Sequence, residues 1–351
     1  MTYRPTLLSA MVALAVIGVA SDLNAHPNHA KKAPKESPAV TDQIRTGNGA
    51  CTYETVANWC KIPEGRDSLG PTHGAIVLDK AGNIYCSMDS GDHGILVYRP
   101  DGTLIREMGH GLGGIHGMCL RAEGDEEFIY AAHLREAQVL KLTLVGEVVW
   151  AMNGPPTESG KYDDPSKYKP TAVAVGPDGE IFVADGYGTN WIHRFDKDRK
   201  YLGSFGSRGT EDGRFQTCHG LALDTRGERP LLLVCDRENR RLQHYDLEGN
   251  FVATLTENLR RPCSVSFLGD RVAVAELAGR VTLLDGSNQP IAYLGDNPDQ
   301  KQWANYGVPA SDWQPGIFTA PHGVAFDQDG NLFVMDWNST GRISRLNLVS
   351  D

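Results

Sequence analysis

Short runs of alternating apolar and polar residues, closed off by Asp, Gly and Asn, recur along most of the chain. The clearest case covers residues 321–346, PHGVAFDQDGNLFVMDWNSTGRISRL: strand GVAFD, turn QDGN, strand LFVMD, a second turn, then strand RISRL. Period-2 strands separated by tight polar turns predict an antiparallel meander. The same phrase begins at His73 (HGAIVLDKAGNIYCSMD), His116 (HGMCLRAEGDEEFIYAAH), Thr171 (TAVAVGPDGEIFVAD), His219 (HGLALDTRGERPLLLVCD) and Cys263 (CSVSFLGDRVAVAE). Copies spaced by about 50 residues are the mark of a repeat architecture. Several continue into a fourth strand before a glycine, as in Tyr201–Gly206 (YLGSFG) and residues 291–295 (IAYLG). Four strands repeated six times predict an all-β fold, a six-bladed β-propeller over residues 46–351, with no second domain. The last copy runs out after three strands, so residues 51–62 are expected to supply its outer strand.

The position opening the phrase reads His73, His116, Thr171, His219, Cys263, His322 through the six copies. First strands line the channel of a propeller, so these side chains are expected to form a ring around the axis, each just ahead of its strand. His116, His219 and His322 are equally spaced along the chain and belong to alternate blades, about 120° apart in a six-bladed ring. Three imidazoles converging on an axis match the ligand set of a catalytic zinc with one open position. Iron, cobalt or manganese fit the same donors, because ligand type alone does not select among them. The plainer reading has each imidazole bonded to nearby backbone. His73 and Cys263 are either additional ligands or channel lining.

Two further phrases are VADGYGTNWIHRF from Val183 and VCDRENRRLQHY from Val234. The repeat resembles the NHL family over residues 67–349. Together with the alternate-blade histidines, these phrases resemble the peptidyl-α-hydroxyglycine α-amidating lyases, also called peptidylamidoglycolate lyases. That resemblance implies zinc held by His116, His219 and His322, Tyr187 as base and Arg237 as anchor for a carboxylate or the transition state. It implies cleavage of an α-hydroxyglycine C–N bond to release an amide and glyoxylate. Two positions depart from the family. Ser90, in SMDSGDHG, stands where an Arg is usual, and Gly323 replaces an acidic residue that helps hold a structural calcium. Calcium is therefore not expected, and another small hydroxylated or carboxylated substrate stays open for a metal-dependent lyase or hydrolase. A non-catalytic NHL binding module also stays open; in it Asp185, Asp236 and Asp336 cap turns, and Tyr187 and Arg237 are solvated loop residues.

Composition narrows the partners. At 40% hydrophobic and 22% charged residues, the chain can bury a sizeable core. A formal net charge of -10 without a basic block argues against nucleic acid, whose phosphates require clustered Lys and Arg. A small-molecule or peptide substrate and a monomer are expected. Arg4 precedes an apolar run over residues 7–20 that is shorter than the about 20 residues of a spanning helix. This reads as a signal peptide, residues 1–25, cleaved after Ala20 or Ala25. A polar linker over residues 26–45 follows, expected to be disordered. The protein is therefore expected to be secreted or periplasmic, without stable membrane insertion once the signal is removed. Such compartments permit disulfides, and of the seven cysteines Cys51 and Cys60 are the easiest local pair. Seven is odd, so at least one thiol is left over. N-terminal sequencing of the exported form is expected to read from Ser21 or His26; a full-length cytoplasmic product would overturn both the localisation and the disulfide expectation.

Overall fold

The computed structural model describes residues 44–89, 92–256 and 258–349. The signal-peptide expectation, nearly all of the linker and Ser90 lie outside them. The regular secondary structure of the described chain is almost entirely strand, in six antiparallel sheets. Five are four-stranded and occupy residues 76–110, 115–152, 172–206, 218–256 and 262–294, hereafter blades one to five. The first strands touch one another in sequence, and that of blade six returns to that of blade one, so the circuit is closed. This is a six-bladed propeller, with the first strand of each blade innermost.

The repeated turn has a local cause. Asp79, Asp246 and Asp327 each accept the backbone N–H four residues on, at 2.8, 2.7 and 2.8 Å, so the side chain itself closes the loop between strands. A second set of carboxylates ends the second strands. Asp185 accepts Lys169 N at 2.6 Å, Asp236 accepts Gln216 N at 2.8 Å and Asp336 accepts Ala320 N at 2.7 Å. All three are fully buried, and each ties down the connector that enters its own blade. The central strands depart from simple alternation. Ile181–Ala184 and Leu332–Asp336 are buried on both faces, because each blade is sandwiched between two neighbours.

Blade six is the exception. Its strands Pro321–Phe326, Leu332–Asp336 and Arg342–Leu348 are completed by Cys51–Val56, which pairs antiparallel with Arg342–Leu348 in the register Tyr53↔Leu348. A fifth strand, Arg45–Asn48, adds outside it, beginning inside what reads in sequence as linker. Tyr53 is fully buried among Leu294, Phe318, Phe326 and Leu346, between blades five and six. Trp59 then packs against Phe333 of blade six and Tyr98 of blade one, with ring centroids 5.0 and 5.7 Å away.

The expected pairing of Cys51 with Cys60 is not found; all seven cysteines are free thiols. Cys51 opens the closing strand and packs with Tyr53 between blades five and six, whereas Cys60 lies against the cluster between blades six and one. An extended strand advances about 3.3 Å per residue. From Cys51 to Val56 the strand already runs beyond the Cα distance a disulfide spans, about 4.4–6.8 Å, and Cys60 lies past it in a different cluster.

Tyr53 is the largest side chain that the closing strand buries. Tyr53→Ala is expected to cost about 3–5 kcal/mol, in the range of large aromatic truncations in cores, read as a lowered urea midpoint.

Candidate metal centre

His116, His219, Cys263 and His322 lie within their first strands, not ahead of them, and at each the ladder slips by one residue. The register jumps between Ile115 and Gly117, Cys218 and Gly220, Pro262 and Ser264, and Pro321 and Gly323. Each ring residue is thus the extra residue of a β-bulge, a device that re-aims a side chain. Here it turns the side chain to the axis. Thr171 and His73 precede their strands, as the sequence suggests.

The three alternate-blade histidines share one arrangement. His116 Nδ1 meets Thr171 O at 2.7 Å, His219 Nδ1 meets Cys263 O at 2.9 Å and His322 Nδ1 meets Gly74 O at 2.9 Å. A nitrogen facing a carbonyl must donate, so Nδ1 carries the proton and Nε2 keeps its lone pair. The acceptor always belongs to the next blade. The glycine after the histidine is required by the same contact: a Cβ at Gly117 or Gly220 would collide with Thr171 O or Cys263 O, the very carbonyls that hold His116 and His219. The three ring centroids are 4.7–4.8 Å apart, an equilateral triangle. All three residues are buried. Burial, reinforced by neighbouring histidines and Arg237, holds their pKa values well below the ordinary 6.5, so they are neutral at physiological pH.

The structure brings Tyr187 and Arg237 to the same place. Tyr187 follows Asp185 in a loop held by that carboxylate, which also accepts Thr189 N at 2.6 Å and the Tyr162 hydroxyl at 2.7 Å. Its own hydroxyl lies 3.3 Å from His73 Nε2, 3.3 Å from His116 Nε2 and 3.1 Å from His219 Nε2. Arg237 Nη1 donates to the phenol oxygen at 3.0 Å. Neither residue is a solvated loop side chain, although the aspartates do cap their turns. Burial raises the Tyr187 phenol above its ordinary 10, against the pull of Arg237.

The donor set fits a cation. His116 and His219 both offer lone pairs to a phenol with one proton to give, and His322 Nε2 is buried with no hydrogen-bond partner. A nitrogen each of His73, His116 and His322 lie within 4.8 Å of one another, and so do those of His219 and His322 with Cys263 Sγ. A cluster of lone pairs short of protons is what a metal ion satisfies.

Several participants escape sequence reading. Glu238 accepts Arg237 Nε at 2.8 Å and Arg261 Nη2 at 2.7 Å, fixing the guanidinium; its only signal is its place in the DREN phrase. Behind the Tyr187 loop, Tyr162 contacts His193 Nε2 at 2.7 Å, and His193 Nδ1 contacts Ser204 Oγ at 2.7 Å. Burial, with Lys161 nearby, holds His193 down to about 3, so it stays neutral. Tyr162 lies in a connector outside the repeat phrase and gives no signal.

An NHL repeat model matches residues 168–195, which include Tyr187. The chain carries an NHL repeat. Over 232 residues it is 25% identical to human NHL repeat-containing protein 3, covering 62% of this chain and 64% of that protein. It is 28% identical over 229 residues to peptidyl-glycine alpha-amidating monooxygenase A of Xenopus laevis, covering 63% and 23%. A probable peptidyl-alpha-hydroxyglycine alpha-amidating lyase of Caenorhabditis elegans is 30% identical over 152 residues, 42% of each chain. The match thus spans less than two thirds of each relative's own length. Among solved structures, a streptogramin B lyase superposes with a TM-score of 0.53 at 14% identity, covering 81% of this chain and 95% of that one. A gluconolactonase of Xanthomonas campestris gives 0.56 at 13%, covering 89% and 97%. These two likenesses concern the fold.

Gly220→Ala keeps every ligand yet pushes away the carbonyl that orients His219. Its affinity for zinc is expected to fall by about 10–100-fold, the usual cost of disturbing a partner behind a ligand, as measured by titration against a chelator.

Proposed function

We propose that the protein is a metal-dependent carbon–nitrogen lyase, zinc being the first choice, acting on an α-hydroxyglycine-type substrate to release an amide and glyoxylate. The observation that carries this reading is the Tyr187 hydroxyl, held within 3.1–3.3 Å of three imidazole nitrogens and 3.0 Å from a guanidinium. The amidating names of two relatives support it. His116, His219 and His322 would hold the ion. When bound, it supplies positive charge that acidifies a hydroxyl on it and the adjoining phenol.

The substrate needs three things: removal of a hydroxyl proton, departure of an amide nitrogen and anchorage of a carboxylate. Tyr187 takes the hydroxyl proton. As the carbonyl of glyoxylate forms, the C–N electron pair leaves with the nitrogen, and the same proton returns to it. Arg237 forks onto the carboxylate, a geometry its planar guanidinium favours. Glu238 holds Arg237 in place from behind. Substrate-sized groups would reach the site from the Tyr187 end of the channel. The protein would work as an exported monomer on a small molecule or peptide. Among the described residues no helix is long and apolar enough to cross a membrane. Gly323 beside His322 offers no carboxylate, so calcium is not part of the proposal.

Glyoxylate release from α-hydroxyhippurate tests the reading. Tyr187→Phe should keep fold and metal while turnover falls by about 10²–10⁴, the usual contribution of a positioned acid–base group. Arg237→Ala should lower both affinity and rate. A zinc-loaded protein that yields no glyoxylate would remove the amidating assignment. Full activity in Tyr187→Phe would refute the choice of base.

A further inference from the structure

The fifth blade breaks the pattern of the ring. Where four of the other blades place an imidazole, three of them on a bulge, it places Cys263, also on a bulge, between Pro262 and Ser264. The side chain is 1% exposed, and the backbone carbonyl of the same residue accepts His219 Nδ1 at 2.9 Å. Anything that orients His219 therefore also fixes Cys263. The sulfur makes one long hydrogen bond, to Arg261 O at 3.7 Å, and stands beside the Arg237 guanidinium. Cys263 Sγ, a nitrogen of His219 and a nitrogen of His322 lie within 4.8 Å of one another. His322 Nδ1 is engaged by Gly74 O, and its Nε2 is buried without any partner. A lone thiol on the channel wall would be unremarkable. Here it stands between an unpartnered imidazole that is 2% exposed and a second, oriented imidazole, in a group whose donor atoms could hold a metal ion.

Resting on the metal-site reading above, we propose that Cys263 is a sulfur ligand of the ion, which is held by nitrogen from His219 and His322 and by the Cys263 thiolate, with His116 as the fourth protein ligand and a fifth position left to the substrate hydroxyl. On binding, the S–H bond breaks, the proton leaves to solvent and the sulfur lone pair passes to the ion; no oxidant or reductant is involved. His73 is not part of this set. Its Nδ1 lacks the carbonyl anchor of the others and faces the Asp89 carboxylate at 3.8 Å. A mixed nitrogen and sulfur shell selects ions that tolerate thiolate, such as zinc, cobalt or copper, over magnesium, calcium and manganese, which take oxygen donors. The sulfur also donates more charge than a third or fourth imidazole, and so tempers the ion's acidity.

X-ray absorption at the zinc edge of the full-length, zinc-loaded protein tests this without reference to activity. The expected result is a sulfur shell at about 2.3 Å beside nitrogen at about 2.0–2.1 Å. In Cys263→Ser the sulfur shell should vanish, with the thermal melt retained and the zinc Kd raised by about 100-fold or more, beyond the loss that a partner behind a ligand causes. A zinc-loaded wild type with nitrogen and oxygen neighbours alone overturns the proposal and leaves the histidine centre intact. A sulfur shell that persists in Cys263→Ser overturns it too, since another thiol would then be the ligand. Should Cys263→Ser fail to fold, the wild-type spectrum still decides. A protein that takes up no zinc overturns both this proposal and the metal reading beneath it.

Discussion

One hydrogen bond, made three times, organises the centre of the molecule: an imidazole Nδ1–H reaching to the backbone carbonyl of the following blade. It joins neighbouring blades where their first strands meet, and it fixes the tautomer of each ring. It also leaves the Nε2 lone pair turned to the axis, toward the Tyr187 hydroxyl at His116 and His219 and without a partner at His322. Structural and chemical roles therefore sit on opposite nitrogens of one side chain. The plain reading of these histidines, bonded to backbone, holds at all three, and the same geometry supports the proposal that they are ligands to a metal. The bulge and the following glycine serve that bond, one by turning the side chain and the other by letting the carbonyl approach.

A second layer of order comes from buried carboxylates. Asp185, Asp236 and Asp336 each gather backbone N–H groups from the connector into their own blade, and Asp185 and Asp236 stand just before Tyr187 and Arg237. A buried carboxylate is costly unless its oxygens are satisfied, so these positions admit few arrangements of the loop that follows. The phenol and the guanidinium inherit their precision from that restriction. The neutral chain Tyr162–His193–Ser204 extends it outward through blade three.

Much of this was legible in the sequence because propeller blades repeat their local chemistry. The Asp-to-Gly-Asn turns, the histidine at the head of the phrase and the aspartate at its end each encode a short-range contact, so six copies read six times. What stayed hidden depends on contacts between distant segments. Arg45, which opens the strand Arg45–Asn48, looks like the end of a polar linker because that strand merely edges its sheet. Cys51 and Cys60 look like neighbours because the eye counts residues, while an extended strand sets them in different cores. The bulges are invisible in composition, yet they place His116, His219, Cys263 and His322 inside their strands. Tyr162 matters through Asp185 and His193, and Glu238 ties its neighbour Arg237 to the distant Arg261, contacts to which a repeat phrase gives no clue.

The composite sixth blade has a consequence for biogenesis. Residues 51–56 leave the ribosome among the first of the described chain, and their partner, Arg342–Leu348, among the last. Until that late strand emerges, the early one has no sheet to join, and Tyr53 has no core to enter. The inner circuit of first strands is likewise incomplete until blade six arrives beside blade one. Synthesis therefore delivers an open arc of blades that closes into a ring only once Arg342–Leu348 has emerged, and the His322 anchor on Gly74 forms in that same closing event.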